Sequence, residues 1–335
     1  MNRRTFTQGA AALLAISPIR QLLAQDATPE SAVPELPVTV TDVNGNEVTV
    51  TDVSRIIPLN GNVTETIFAL GLGANVVAVD ESALYPEEAT ELPQIGYQRS
   101  LSAEGVLSFE PTLVIGTTEA GPEDVIQQIA DAGVALVIFE APGDPHAAST
   151  EIRNIATAVG LPEAGEQLAS GVEQRLADAE ALAASSASQP RVAFLYIRGA
   201  GTQLLSGSGS AADGVIMAAG GINVGAEIGI EGYQPITPEA LVTAAPDVIL
   251  VMQGGLESIG GVDGLLEIPG VAETPAGMDR HIVAFEDLYL LGFGPRIGDS
   301  VYDLTIAIHD DIDAEPLHPE WQGWDDTAPE ASPAA

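Results

Sequence analysis

Two triplets hold the residues of this chain best suited to chemistry, Tyr97-Gln98-Arg99 and Tyr196-Ile197-Arg198. In an extended backbone, residues two apart point the same way, so each phenol is expected beside its own guanidinium. The guanidinium stabilises a phenolate by charge and hydrogen bonding. Ferric iron, a hard cation, would do so far more strongly. Tyrosine is also common in strands for packing alone. What lifts these triplets above that reading is their place at loops that a two-lobed cleft would bring together.

The elements that must position them contain an internal duplication. Gly96-Tyr97-Gln98-Arg99-Ser100-Leu101-Ser102-Ala103-Glu104 runs through Phe109-Glu110-Pro111 into the apolar stretch Thr112-Leu113-Val114-Ile115-Gly116. Later, Gly232-Tyr233-Gln234 leads through Ile236-Thr237-Pro238-Glu239 and Ala245-Pro246 into Asp247-Val248-Ile249-Leu250-Val251. From Leu101 and Ile236 onward the copies keep one spacing, pairing Ser102 with Thr237, Glu104 with Glu239 and Pro111 with Pro246. In each, Ser or Thr can N-cap a short helix, Glu lies in the first turn where the dipole favours it, and Pro ends the helix before a buried parallel strand. The expected fold class is therefore α/β, with two similar lobes around mostly parallel sheets, each lobe presenting a loop at a strand end.

Taken in order, residues 1–24 fit a twin-arginine export signal: Asn2-Arg3-Arg4-Thr5-Phe6-Thr7, a short apolar run, and a plausible cleavage site after Ala24. Residues 25–36 read as a linker. The first lobe is expected over 37–147. It opens with a Val-Thr hairpin over 38–53 whose Asn44-Gly45 suits a type I′ turn. Strands are expected at 55–59, 76–79 and 135–139, with helices at 63–71 and 123–132 and a long loop over 80–93. Residues 148–188 are helical with a break at Gly160-Leu161-Pro162. The second part, about 24 residues or roughly 36 Å, is long enough to bridge two lobes. The second lobe is expected over 189–312, with strands at 192–198, 203–205 and 281–285 and helices at 211–219 and from 294 to about 309. Residues 313–335 read as an acidic disordered tail.

Composition bounds the function. A chain of 335 residues with 46% hydrophobic content can bury two cores. Its net charge of -37 comes mostly from scarce bases, since all 11 basic residues are arginine and lysine is absent. Such a surface repels nucleic acid and anionic membranes, and would suit a saline or acidic exterior. Cysteine is absent, which removes disulfides, thiolate metal sites and a lipid-modified cysteine. His146, His281, His309 and His318 are scattered, without the spacing of a zinc helix.

Residues 38–310 resemble the substrate-binding proteins of ABC importers whose lobes are joined by a helical backbone, the branch serving haem, cobalamin and ferric siderophores. Within it the chain is most similar to the haem-binding proteins. The resemblance rests on Arg55-Ile56-Ile57-Pro58-Leu59 with Thr64-Glu65, on the 96–105 stretch, on Leu195-Tyr196-Ile197-Arg198-Gly199, on Gly254-Gly255-Leu256-Glu257-Ser258 through Leu265, and on Leu290-Leu291-Gly292-Phe293-Gly294-Pro295-Arg296. It implies haem as the transported ligand, with Tyr97 as an axial ligand from the first lobe and Tyr196 opposing it. Arg198 would bond the Tyr196 phenol, and Arg99 would do the same for Tyr97 or bind a propionate. Whether iron takes one phenolate or two stays open. Tyr233 is the repeat equivalent of Tyr97 and is expected to border the same cleft. The resemblance further implies that Glu104 and Glu239 dock into the permease dimer of an ABC importer with its ATPase. Helix N-terminal charge stabilisation is the plainer role for both. The protein is expected to be a monomer without stable membrane insertion, and not an enzyme. Two alternatives stand beside haem: a siderophore or cobalamin carrier of the same fold, and a nucleotide-dependent α/β enzyme using Gly207-Ser208-Gly209-Ser210-Ala211-Ala212, a G-x-G-x-x-A run between strand and helix.

Overall fold

The alternating Val-Thr runs turn every second side chain inward and pair antiparallel as β1 (Val38–Thr41) and β2 (Glu47–Val50) in the computed structural model, which describes residues 33–319. The turn departs from type I′, which needs a left-handed backbone at two successive residues. Only Gly45 takes positive φ here (83°), and Asp42 closes the loop by accepting the Asn44 and Asn46 N–H groups at 2.9 and 2.7 Å. An aspartate side chain thus replaces one strained residue. The expected export signal and most of the linker lie outside the described residues, as does the tail beyond residue 319.

The first lobe is built on β3 (Ile56–Pro58), β4 (Leu113–Thr117) and β5 (Ala135–Phe139), parallel and in that order. These strands are apolar on both sides because both faces are covered. Ile56, Leu113 and Ile115 pack into one core with Val63 and Ile67, while Ile57 and Val114 pack into a second with Val106 and Ile129. The strand expected at 76–79 does not form. Val76 bridges to Ile56 and Val79 to Gln94, so the segment changes partner within four residues and cannot run a ladder. The loop after it carries a one-turn helix, Glu87–Thr90.

The second lobe holds β6 (Arg191–Arg198), β7 (Thr202–Ser206), β8 (Ile222–Asn223), β9 (Tyr233–Pro235), β10 (Val248–Met252) and β11 (Ile282–Phe285). Their order is β11-β10-β6-β7-β9, with β8 beside β6. The β11, β10, β6 and β8 pairings are parallel, but β7 is antiparallel to both β6 and β9. The connection from Arg198 to Thr202 is too short for a crossover, so β7 must turn back on β6 as a hairpin, and β9 joins its far edge after the longer excursion over residues 207–232.

The duplication survives as matched local geometry. Ser102 caps helix Ala103–Leu107 by accepting the Gly105 N–H at 3.3 Å, and Thr237 caps Pro238–Ala244 through the Ala240 N–H at 3.2 Å. Glu110 and Ala245, each before the proline, both take left-handed backbone (φ 47° and 45°). β4 and β10 then begin at equivalent positions.

Helices Ala147–Ala158 and Pro162–Ala183 join the lobes. The break between them is a glycine at φ 77° followed by proline at the first helical turn. The longer helix has 22 residues, roughly 33 Å. Its buried face runs Ala169, Val172, Leu176, Ala179, Ala183, a spacing of alternating three and four that makes one stripe. Val172, Leu176 and Ala179 enter the second-lobe core with Val301 and Leu304 of the last helix, Ile297–Ile308, while Ala164 and Leu168 reach the first-lobe core. Gly165 allows the close approach: a methyl group there would lie 2.2 Å from the Ala156 side chain. The start of the expected tail is packed down, which corrects the reading for residues 313–319. The Leu317 and His318 N–H groups donate to the buried Asp303 carboxylate at 2.7 and 3.0 Å, because that carboxylate needs donors. Among the described residues, no helix is long and apolar enough to cross a membrane.

Candidate functional site

Tyr196 and Arg198 stand two apart on β6 and share a face, as extended backbone requires. The Arg198 guanidinium carbon lies 5.0 Å from the centre of the Tyr196 ring. Its Nη2 donates to Asp287 Oδ2 at 2.9 Å and its Nη1 to the Ile197 carbonyl at 3.0 Å. Asp287 opens the short helix Asp287–Leu291 that follows β11, and its other oxygen accepts the Gly254 N–H at 3.0 Å. Tyr233, on the edge strand β9, sets its ring edge-on to Tyr196 at 5.7 Å. Burial pushes the Tyr233 phenol above its ordinary pKa, against hydrogen bonds from the Ala212 backbone and Ser210; Tyr196 and the charge of Glu119 add to the rise.

The first-lobe triplet is built differently, which corrects the extended-strand expectation. Tyr97 follows Gly96 (φ 93°) and precedes a 3-10 turn, Gln98–Ser100, so Arg99 lies on a turn and not two places along a strand. Its guanidinium pairs with Glu119, carried on the turn after β4. Two backbone bonds stitch that turn to the triplet: Gly121 N–H to the Gln98 carbonyl at 2.8 Å and Leu101 N–H to the Gly121 carbonyl at 2.9 Å. Beneath it, Asn60 donates to the buried Gln98 side chain and accepts the Thr117 N–H at 2.7 Å, tying the turn to the end of β4.

All five residues singled out for the ligand, Tyr97, Arg99, Tyr196, Arg198 and Tyr233, line one cleft of about 600 Å3 with contributions from both lobes. Tyr97 is 40% exposed at this surface, whereas Tyr196 is half-buried. Apolar surface comes from Leu204, Met252 and Leu291, and further charge from Glu81, Glu119 and Asp287. Asn62, also in the lining, donates through Nδ2 to both oxygens of buried Glu151 at 3.1 and 2.9 Å. Burial pushes Glu151 up to about 8, against the Asn62 hydrogen bond, and the nearby Glu119 charge adds to the rise.

Glu104 and Glu239 are not part of this cleft lining; both are exposed, in the first turns of their equivalent helices. The glycine run at 207–212 offers no open phosphate cradle. Gly207 N–H donates to the Gly232 carbonyl, Ser208 N–H to Ile230, Ser210 N–H to Gly207, and Gly209 N–H to the Asp213 carboxylate at 3.0 Å. A pyrophosphate would have to displace that carboxylate. Sequence reasoning did not single out Glu119 or Asp287. Both lie just past the ends of parallel strands, the rule that would have flagged them. Glu65 and Arg296, which stand in stretches that carry the family resemblance, form a buried pair between the lobes, with Arg296 Nε and Nη2 each donating to a Glu65 oxygen at 2.9 Å.

A sequence model described as "Periplasmic binding protein" matches residues 56–288. The periplasmic heme-binding protein RhuT from Roseiflexus sp. RS-1, in its apo form, is similar at 53% identity and a TM-score of 0.76, over 77% of this chain and 99% of that one. The heme binding protein HmuT is similar at 37% identity and a TM-score of 0.79, over 85% of this chain and 94% of its own. Among sequence relatives, the vitamin B12-binding protein of Photorhabdus laumondii is 26% identical over 61% of this chain and 72% of its own length.

Proposed function

The chain belongs to the periplasmic binding protein family, and from that premise we propose that it captures ferric haem in the interlobe cleft and delivers it to an ABC haem importer. The observation that carries this reading is the meeting of Tyr196, Arg198, Tyr233, Tyr97 and Arg99 in one cleft. Tyr196 is the stronger candidate for the axial iron ligand. Its ring lies beside the Arg198 guanidinium on the same face of β6, where that charge would offset the charge of an iron-bound phenolate. Tyr97 approaches from the opposing lobe and completes the grip. Haem-binding neighbours at 53% and 37% identity support this choice over the vitamin B12 carriers at 26%.

The protein works as a monomeric carrier, not an enzyme, and outside the cytoplasm. Lobes over 37–147 and 189–312, with the helical segment 148–188 between them, are the units that grip the ligand. The twin-arginine route is inferred from residues 2–24 alone. With two helices joining the lobes and the last helix packed against the longer of them, closure motions are small, and the permease must pry the lobes apart for release.

Ferric haem titrated into the purified protein should give a saturable Soret band with high-spin phenolate charge-transfer features. Cobalamin, a siderophore panel and NAD, read by thermal shift, are the competing ligands. Stabilisation by cobalamin or a siderophore with no haem spectrum would replace haem as the cargo.

Glu104 and Glu239 are the docking residues in this proposal, supported by their exposure and their matched places on duplicated helices. Glu104→Arg with Glu239→Arg should lower haem uptake through the reconstituted importer by about tenfold or more, since like charges would oppose a basic partner. Haem affinity should not change. Undiminished transport would leave these glutamates only their effect on helix ends.

A further inference from the structure

Each cleft arginine is already held by a carboxylate of its own lobe. Arg99 donates to Glu119, and Arg198 Nη2 donates to Asp287 Oδ2 at 2.9 Å. The two carboxylates arrive by different routes. Glu119 sits on the turn after β4, but the residue at the matching place after β10 is Gly254. The second lobe supplies Asp287 from the end of the neighbouring strand β11 instead, steadied by the Gly254 N–H at 3.0 Å. The same arginine-carboxylate pairing is therefore built twice from non-equivalent positions, so it is not a mere remnant of the duplication.

All four side chains line the cleft, and the pairs are partly exposed, at 58% and 45% for Arg99 and Glu119 and 42% and 24% for Arg198 and Asp287. Pairs this wet are weak and exchange readily for another carboxylate. With Glu81, the lining sets three carboxylates against two guanidiniums. A ligand bearing two carboxylates thus meets occupied cations and a surplus of like charge.

We propose that Glu119 and Asp287 determine ligand specificity by competing for Arg99 and Arg198, so that a ligand carboxylate takes either guanidinium only by displacing a protein carboxylate. The inference rests on the haem reading for its ligand class, a macrocycle with two propionates. Its consequence is that the propionates add little net affinity. Retention then depends on the iron-phenolate bond, and metal-free porphyrin is discriminated against.

The test uses metal-free protoporphyrin IX and its dimethyl ester, followed by fluorescence, with the full chain as wild type, Glu119→Gln, Asp287→Asn and the double variant. The amides keep an acceptor oxygen, and a thermal midpoint within a few degrees of wild type checks folding. Each single variant should bind the diacid about threefold more tightly and the double about tenfold, with the gain shrinking in about 0.5 M salt. Affinity for the dimethyl ester should stay within about twofold throughout, because the ester offers no charge to compete. Weaker binding of both porphyrins would mean that the carboxylates merely position the arginines, and would overturn the proposal. So would an unchanged diacid affinity in a protein that still gives the ferric haem spectrum; that result leaves the haem reading standing. Failure of wild type to take up either porphyrin or ferric haem would remove both.

Discussion

Tyr196→Phe should abolish the phenolate charge-transfer features of the ferric haem complex and weaken haem binding by about a hundredfold or more, since it deletes an axial ligand. The phenyl ring keeps its edge contact with Tyr233 and its place on β6, so the loss reports ligation and not collapse of the strand. Arg198→Ala should cost on the order of 10- to 100-fold, the usual penalty for removing a group that supports a metal ligand. Tyr97→Phe is expected to cost less than Tyr196→Phe, because Tyr97 is 40% exposed and Arg99 lies on the following turn, whereas Tyr196 is half-buried with Arg198 beside its ring. Tyr233→Phe should retain the charge-transfer features, since burial disfavours ionisation of that phenol. If Tyr97→Phe and Tyr196→Phe each leave the spectrum intact, iron is not held by these phenols.

Arg296→Met should be the most destabilising single change in the described core, at about 3–5 kcal/mol in urea unfolding, because it strands a buried carboxylate. Glu65 is 3% exposed and Arg296 10%, and the contact is bidentate, with the Arg296 backbone N–H adding a third bond at 3.1 Å. The guanidinium also stacks over Tyr85, 3.7 Å from its ring centre. Burial pushes the Glu65 carboxyl above its ordinary range, against the pull of Arg296, so without the arginine it must protonate or draw water in. Removing both charges, as Glu65→Leu with Arg296→Met, should restore much of the lost stability. A loss below about 1 kcal/mol for Arg296→Met would show that the pair is solvated and does not clamp the lobes.

That clamp links helix Gly61–Ala69 of the first lobe to the start of the last helix, which packs in the second-lobe core. The cleft above it is thus bounded by a joint with little freedom, consistent with a carrier whose lobes shift only slightly on loading. Asn62, on the same helix as Glu65, faces the cleft and holds Glu151 of the connecting helices. Cleft lining and the Glu65–Arg296 joint therefore share one short helix.

Much of this was legible in the chain, for a definite reason. Helix caps, strand alternation, the proline stops and the repeated 101–116 and 236–251 stretches are encoded by residues within a few positions of one another, and local backbone sterics read them directly. The duplication even carried over to matched left-handed residues at Glu110 and Ala245. Local patterns misled where a segment had to satisfy two distant partners, as at 76–79, or where a side chain took over a turn, as Asp42 does. The Tyr-x-Arg triplets could be found by spacing, but their surroundings could not. Arg99 meets Glu119 across 20 positions, Arg198 meets Asp287 across 89, and Arg296 meets Glu65 across 231. Such pairings depend on which strand ends the sheets set side by side and on how the helices close the gap between lobes. Local chain chemistry was enough to reveal the α/β class, the repeat and the two Tyr-x-Arg triplets; which carboxylates hold the arginines, and that Glu65 pairs with Arg296, emerged with the fold, because charge pairing acts through space and carries no period along the chain.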